Sequence, residues 1–249
     1  NSGFADQVAI SGASFVENAY YVNGLNVTNF RMGLRPVEVP YDFYQTVEVK
    51  TGGMAAEFGR ATGGVVNTVT KSGSNEFHAS VLNSWEPDGL RSTSPATYNT
   101  DYEGVRQTRR EATIQASGPI IRDRLFIYGL YTDRQFESFT PDQDQDNATR
   151  VENDSPFWGV KLDGYITDDH HVEFTYFDTT NETRTRNLAF DRATGEEGAE
   201  AGGVNGRGGG QNYVPRYTGV LAPWLTVSAA YGVNKLRDGS LPLDISNER

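Results

Sequence analysis

YDFYQTVEVKTGGMAAEFGRATGGVVNTVTKSG, residues 41–73, decides how the rest of the chain is read. Two strand-like runs, 45–50 and 65–71, flank a segment with five glycines between Gly52 and Gly64. Glycine at this density marks backbone that turns sharply or passes close to another wall, because only a residue without Cβ tolerates those angles and distances. The unit it pins is compact.

Upstream, residues 1–75 read as short strands around glycine turns. Residues 19–22 lead into Asn23-Gly24, a hairpin-type dipeptide whose residues accept positive φ. NFRMGLRPVEVP, residues 29–40, holds two prolines without a clear period and reads as a loop. Glu57 and Arg60 stand three apart in MAAEFGR, close enough to pair across a helical turn.

Downstream of Asn75 the texture changes to longer alternating runs. Phe77, Ala79, Val81 and Trp85 fall on one face; Ala112, Ile114 and Ala116 alternate with Thr113, Gln115 and Ser117. Trp158, Val160, Leu162 and Ile166 alternate with Gly159, Lys161, Asp163 and Tyr165, and Val172, Phe174 and Tyr176 with Glu173 and Thr175. A last run spans 225–234. A period of two gives each strand one apolar and one polar face. Short turns, GPIIRDR, TDDH and LAPW, follow every second strand, whereas residues 87–106, 138–154 and 181–212 read as long linkers. Strict alternation of short and long connections is the pattern of an up-and-down outer-membrane barrel with its brief turns in the periplasm. Tyr128, Tyr131, Trp158 and Trp224 near strand ends are candidates for interfacial girdles.

Bulk properties agree with an all-β chain: 13 Tyr, 13 Phe and 27 Gly against two Met favour strands and turns over helices. The absence of cysteine excludes a disulfide framework, a thiolate metal site and a cysteine nucleophile. A net charge of −11 argues against nucleic acid as partner, since phosphate binding needs a basic surface. The longest uncharged stretch, 217–234, is broken by Pro223 and mixed with Thr, Ser and Asn, so it makes a poor membrane helix.

Chemistry-bearing motifs are few. His78, His170 and His171 lack a Gly-x-Ser-x-Gly elbow, and the adjacent pair reads as polar turn residues, so no catalytic residues and no cofactor are expected. DQDQDNATRVEN, residues 142–153, places Asp142, Asp144 and Asp146 at the first three ligand positions of a calcium loop. Asn147 then stands where glycine is required and Asn153 where glutamate is, so a solvated acidic loop is the favoured reading. The tract GGVNGRGGG, residues 202–210, lacks the Lys-Ser/Thr ending of a phosphate loop and reads as a flexible loop.

The wording of three segments is familiar. VEVKTGGMAAEFGRATGGVVNTVTKSGSNEFHAS (47–80) resembles the end of the plug and the start of the barrel in TonB-dependent outer-membrane receptors, and within them the Oar-type subgroup. ENAYYVNGLNVTNF (17–30) resembles the family's upstream plug strand and apical loop, and SGPIIRDRLFIYG (117–129) its second-to-third barrel strand turn. The resemblance implies a mostly all-β fold: a transmembrane antiparallel β-barrel, about 22 strands in the complete family and about seven here, with an N-terminal α+β plug in the lumen. It puts the plug at 1–74 and the barrel's first part at 75–249, so that the chain reads as a fragment of a longer protein.

The same resemblance implies a bacterial outer-membrane receptor that binds an extracellular ligand and imports it with energy delivered by TonB, through a segment outside this chain. A peptide, protein or glycan is the expected cargo, outer-membrane lipid surrounds the wall, and a surface lipoprotein is a further expected partner. Position in the plug and loops nominates Asn29, Phe30, Arg31, Met32, Arg35, Trp85 and Tyr98 as facing the substrate. Glu57 and Arg60, with Glu48, Lys50 and Lys71, are expected to pair with the barrel wall. Two alternatives stand beside this reading, a surface scaffold or adhesion barrel without import, and a soluble β-sandwich binding module.

Overall fold

The computed structural model describes residues 9–29, 34–36, 38–52, 58–59, 61–98, 102–142 and 146–243. The first segment builds a small sheet from β1 (Ala19–Val22), β2 (Leu25–Asn26), β5 (Tyr44–Lys50) and β6 (Val65–Thr70), in the order β2-β1-β6-β5. β1 and β6 run parallel and the other pairs are antiparallel. β3 (Thr28–Asn29) pairs with β4 (Leu34–Pro36), so the stretch read as a loop contains a short ladder. Helix here amounts to two 3-10 turns, Phe15–Glu17 and Tyr41–Phe43, so no α-helical part of the expected plug occurs among the described residues. Of MAAEFGR, where a helical turn was expected, only Phe58 and Gly59 are among them.

The second segment forms one twelve-stranded sheet. Its strands are β7 (His78–Glu86), β8 (Arg106–Ile121), β9 (Leu125–Pro141), β10 (Asn147–Asp154), β11 (Phe157–Thr167), β12 (His170–Asp178), β13 (Asn181–Asp191), β14 (Glu196–Gly208), β15 (Gly210–Ala222), β16 (Leu225–Ala230), β17 (Val233–Leu236) and β18 (Gly239–Leu243). Followed along the chain they make seven antiparallel passes, β7, β8, β9, β10 with β11, β12 with β13, β14 with β15, and β16 to β18, each paired with the next. Most of residues 138–154 and 181–212, expected as linkers, therefore extend these strands. The glycine tract at 202–210 closes β14 and opens β15 instead of forming a loop.

The breaks between paired strands fall along one line across the sheet. Ser155 N–H donates to Arg134 O at 3.0 Å, Thr179 N–H to Gly210 O at 3.1 Å and Arg237 N–H to Gly209 O at 2.8 Å, which ties each interruption to the neighbouring strand. Gly209 and Gly210 adopt positive φ there, and a β-carbon on either would lie 1.9 Å from a carbonyl oxygen, of Thr179 and of Lys235 respectively.

Alternation assigns the faces. Tyr128, Leu130, Phe157, Phe177 and Val214 are buried in one cluster with Val22, Leu25, Val27 and Phe43 of the small sheet, and this defines the inward face. Their strand neighbours Ile114, Tyr131, Trp158 and Phe174 point the other way and are exposed. Below the line of breaks the outward face is apolar. Above it, the outward face is mixed: Glu152, Arg184 and Asn205 are polar, and Phe139, Ala148, Leu188 and Phe190 form a separate buried cluster near the strand tips.

Three sequence expectations change on this account. Tyr128 is no girdle residue: it is inward and 3% exposed beneath Phe43. His170 and His171 open β12 instead of lying in the turn. Trp85 pairs opposite Arg110, in register with Val81 opposite Ile114, which puts it on the outward face.

Candidate functional site

The two segments meet in space at the seam between the small sheet and the wall, and Asn23 is its hub. The Asn23-Gly24 turn has φ of 48° and 81°, the left-handed pair that the dipeptide predicts. So oriented, the Asn23 side chain donates to Thr70 Oγ1 at 2.7 Å and to Thr175 Oγ1 of β12 at 2.8 Å, while its Oδ1 accepts from Thr70 N–H at 3.0 Å. Its carbonyl accepts from Arg216 Nη2 of β15 at 2.6 Å. One turn residue thus fixes both the small sheet's own edge and its position on the wall.

Phe43, fully buried, is the apolar counterpart. The 3-10 turn Tyr41–Phe43 swings its ring against Phe157 (centroids 5.2 Å apart, edge-on), Tyr128 (5.9 Å) and Phe177 (6.1 Å). The Tyr128 hydroxyl lies 2.9 Å from Asp42 O and 2.8 Å from Gln115 Oε1, its single proton shared between two acceptors. Beside it, burial pushes the Tyr44 phenol well above its ordinary range, so it stays neutral.

The connector leaving β6 is held by a charged cluster that sequence reading missed. Lys161 Nζ donates to Ser72 Oγ at 2.9 Å and lies 3.1 Å from Glu173 Oε1 and 3.4 Å from Asp163 Oδ1. His171 Nε2 lies 3.7 Å from Asp163 Oδ1, with its ring stacked on Tyr165 at 4.4 Å. Asp163, His171 and Glu173 are close enough to share a cation, but the Lys161 ammonium already fills that role. The alternation that sets Lys161, Asp163 and Glu173 on the polar face was visible in sequence, whereas His171 reads there as a turn residue; their convergence on Ser72 required the pairing of β11 with β12. Gly73 follows, where a β-carbon would meet Ile127 O at 2.4 Å.

Of the residues expected to face substrate, Asn29 lines a polar pocket of about 260 Å³ on the inward side, with Glu38, Asn153, Asn181, Thr183 and Asp238. Its amide reaches Asp238 Oδ2 at 3.5 Å. A second pocket, about 540 Å³, separates the small sheet from the wall between Tyr20, Val27 and Tyr44 on one side and Glu111 and Arg134 on the other. Arg35 lies in β4, Tyr98 is exposed in the segment before β8, and neither Tyr98 nor outward-facing Trp85 lines the Asn29 pocket. Phe30, Arg31, Met32, Glu57, Arg60 and Asp144 lie outside the described residues. Of the charges expected to bridge the seam, Lys71 reaches the wall at Gln115 of β8, 3.4 Å away, whereas Glu48 and Lys50 pair with each other at 3.6 Å.

Asp142 and Asp146 close a hairpin through their backbones. Asp142 N–H donates to Asn147 O at 2.8 Å, and Asp146 O accepts from Phe190 N–H at 2.9 Å. Above the line of breaks, Arg106 and Arg150 lie over the Phe139 ring and both bond Glu197, Arg150 at 2.6 Å.

No family model matches the chain. It is 37% identical over 153 residues to the TonB-dependent transporter Oar of Myxococcus xanthus, an alignment covering 59% of this chain and 14% of that protein. The chain thus matches only about one seventh of that relative's length. In fold it is similar to the siderophore receptor PirA from Acinetobacter baumannii, with TM-score 0.58 and 19% identity over 90% of this chain and 32% of that one. The ferric citrate transporter FecA in its unliganded form aligns at TM-score 0.35 and 12% identity over 91% of this chain and 50% of that one. The resemblance to TonB-dependent receptors read from the sequence is borne out, and so is the all-β class.

Proposed function

We propose that this chain is the end of the plug and the first wall strands of a TonB-dependent receptor in a bacterial outer membrane, with residues 1–74 closing the lumen and 75–249 beginning the barrel. The observation that carries the reading is the division of faces. Apolar side chains such as Ile114, Trp158 and Phe174 point away from the small sheet, and polar ones such as Thr113, Lys161 and Thr175 point toward it. A soluble sandwich would bury the apolar faces against a second sheet, whereas lipid is the solvent that suits an outward apolar band.

In this reading an extracellular ligand settles over Asn29, in the basin walled by Asn153, Asn181 and Thr183, and contact with Phe30, Arg31, Met32 and Arg35 is proposed from their place near Asn29 in the sequence alone. Pulling by TonB, energised from the inner membrane, then moves the small sheet away from the wall. The seam is a set of separate contacts: neutral hydrogen bonds from Asn23 and Tyr128 of about 1 kcal/mol each, charge-assisted ones from Arg216 and Lys161 of about 1.5–3 kcal/mol each, and the Phe43 ring at about 3–5 kcal/mol. Each is within reach of a mechanical pull, and the wall itself is not disturbed. Peptide, protein or glycan cargo, and a surface lipoprotein partner, follow the Oar-type resemblance.

The test is deletion of the TonB system in cells carrying the full-length protein. Uptake of the ligand should stop while surface binding persists. An unchanged phenotype would assign the protein to the scaffold or adhesion class instead.

A further inference from the structure

We infer that the outward face carries a binding site for the phosphate-bearing head group of a membrane lipid, at the line where the strands break. The inference rests on the barrel reading above. A niche of about 250 Å³ opens there, lined by Asp178, Thr180, Arg207, Gln211, Lys235 and Arg237 around the backbone of 208–210.

Register fixes its height. Trp158 stands opposite Asp178, Asp178 opposite Gln211, and Gln211 opposite Lys235, all on the outward face. One step below, Tyr176 stands opposite Tyr213; Trp158 of the niche's own row packs down on Tyr176 at 4.6 Å, and Lys235 Nζ lies 5.8 Å from the Tyr213 ring centroid. Aromatic rows of this kind sit where hydrocarbon gives way to head groups. The niche therefore meets the layer in which lipid phosphates lie.

Charge fixes its preference. Three cations surround the niche against one carboxylate, in a chain whose net charge is −11. That carboxylate is engaged locally, since Asp178 Oδ1 accepts from Thr180 N–H at 2.9 Å and from its hydroxyl at 2.7 Å. Among the described residues, no carboxylate pairs with Arg207, Lys235 or Arg237, in contrast to Arg106 and Arg150 higher on the wall. Glycines at 208–210 leave the floor free of side chains, so a head group can approach the backbone. A guanidinium beside an ammonium, converging on such a floor, recognises a phosphate monoester, or a diester whose charge is not balanced by a cation in the same head group.

The experiment uses the full-length protein in uncharged detergent micelles, with bound lipid counted by native mass spectrometry. Phosphatidylglycerol is expected to be retained, phosphatidylcholine much less, and the Arg207→Gln/Lys235→Gln variant should bind phosphatidylglycerol roughly thirtyfold more weakly. Lys50→Gln, on the small sheet, serves as control and should bind as the parent does. Equal retention by parent and double variant overturns the site, provided both keep heat-modifiable mobility on gels. Full competition by millimolar inorganic phosphate would overturn the lipid assignment in favour of a free anion. Recovery of the protein as a folded monomer without detergent would instead sink the barrel reading on which the site depends.

Discussion

The ring of Phe43 lies so close to Gly159 that a β-carbon on Gly159 would stand 2.6 Å from it. The wall has a dent at this point because the small sheet has a knob. Gly159→Ala should destabilise the docked small sheet by about 1–3 kcal/mol through overpacking, and Phe43→Ala by about 3–5 kcal/mol through the cavity it leaves. Limited trypsin digestion should release residues 1–74 faster in both variants. The double variant should be less harmed than the sum of the two, because the new methyl enters the space the ring has left.

Asn23 separates turn geometry from docking. Asn23→Gly keeps the left-handed backbone but removes the bonds to Thr70 and Thr175, while Asn23→Ala removes both. Chemical denaturation should rank parent above Asn23→Gly above Asn23→Ala, with the first step about 1–3 kcal/mol. Equal losses in the two variants would mean that the side chain does nothing beyond shaping the turn.

The apolar band and the upper tier predict opposite responses to charge. Ile114→Arg should cost about 2–4 kcal/mol of stability in lipid, whereas Asn205→Arg, outward but above the line of breaks, should cost little. Folding yield into vesicles, read from heat-modifiable gel mobility, distinguishes them.

Glu197 makes the upper tier sensitive to acid. The hydrogen bond from Arg106, followed by the field of Arg150, holds its carboxyl below the usual 4.5, so its stabilising effect is present above 4.5 and fades as the pH falls through the lowered value. Hydrogen exchange in β13 and β14 should accelerate between pH 5 and 3 in the parent, a range set about the ordinary carboxylate pKa. Arg106→Met should flatten that dependence.

Much of this architecture was legible in sequence, because a period of two is a direct imprint of a two-faced wall. The alternation in 158–166 and 172–176 placed Trp158 and Phe174 outward and Lys161 and Thr175 inward. Asn23-Gly24 announced its own turn. What the sequence concealed was the upper tier, where NETRTRNLAFD and EEGAEAGGVNGRG pair as strands although their few apolar residues, Leu188 and Phe190 among them, do not alternate along a whole strand. Their ladder rests on backbone bonds and on polar pairs such as Arg186 with Asn205, a kind of strand for which hydrophobic periodicity is silent. The Lys161 cluster was hidden for a related reason, since it joins Ser72 to residues about ninety positions away.

The line of breaks through Ser155, Thr179 and Gly209 bears on how such a wall can change over generations. Pairing resumes above it with the same parity as below, so the upper hairpins are free to grow or shrink by two residues at a time while every side chain beneath keeps its orientation. Length variation at the tips is thereby uncoupled from the apolar band beneath, and new surfaces can be tried there without reopening the problem of folding.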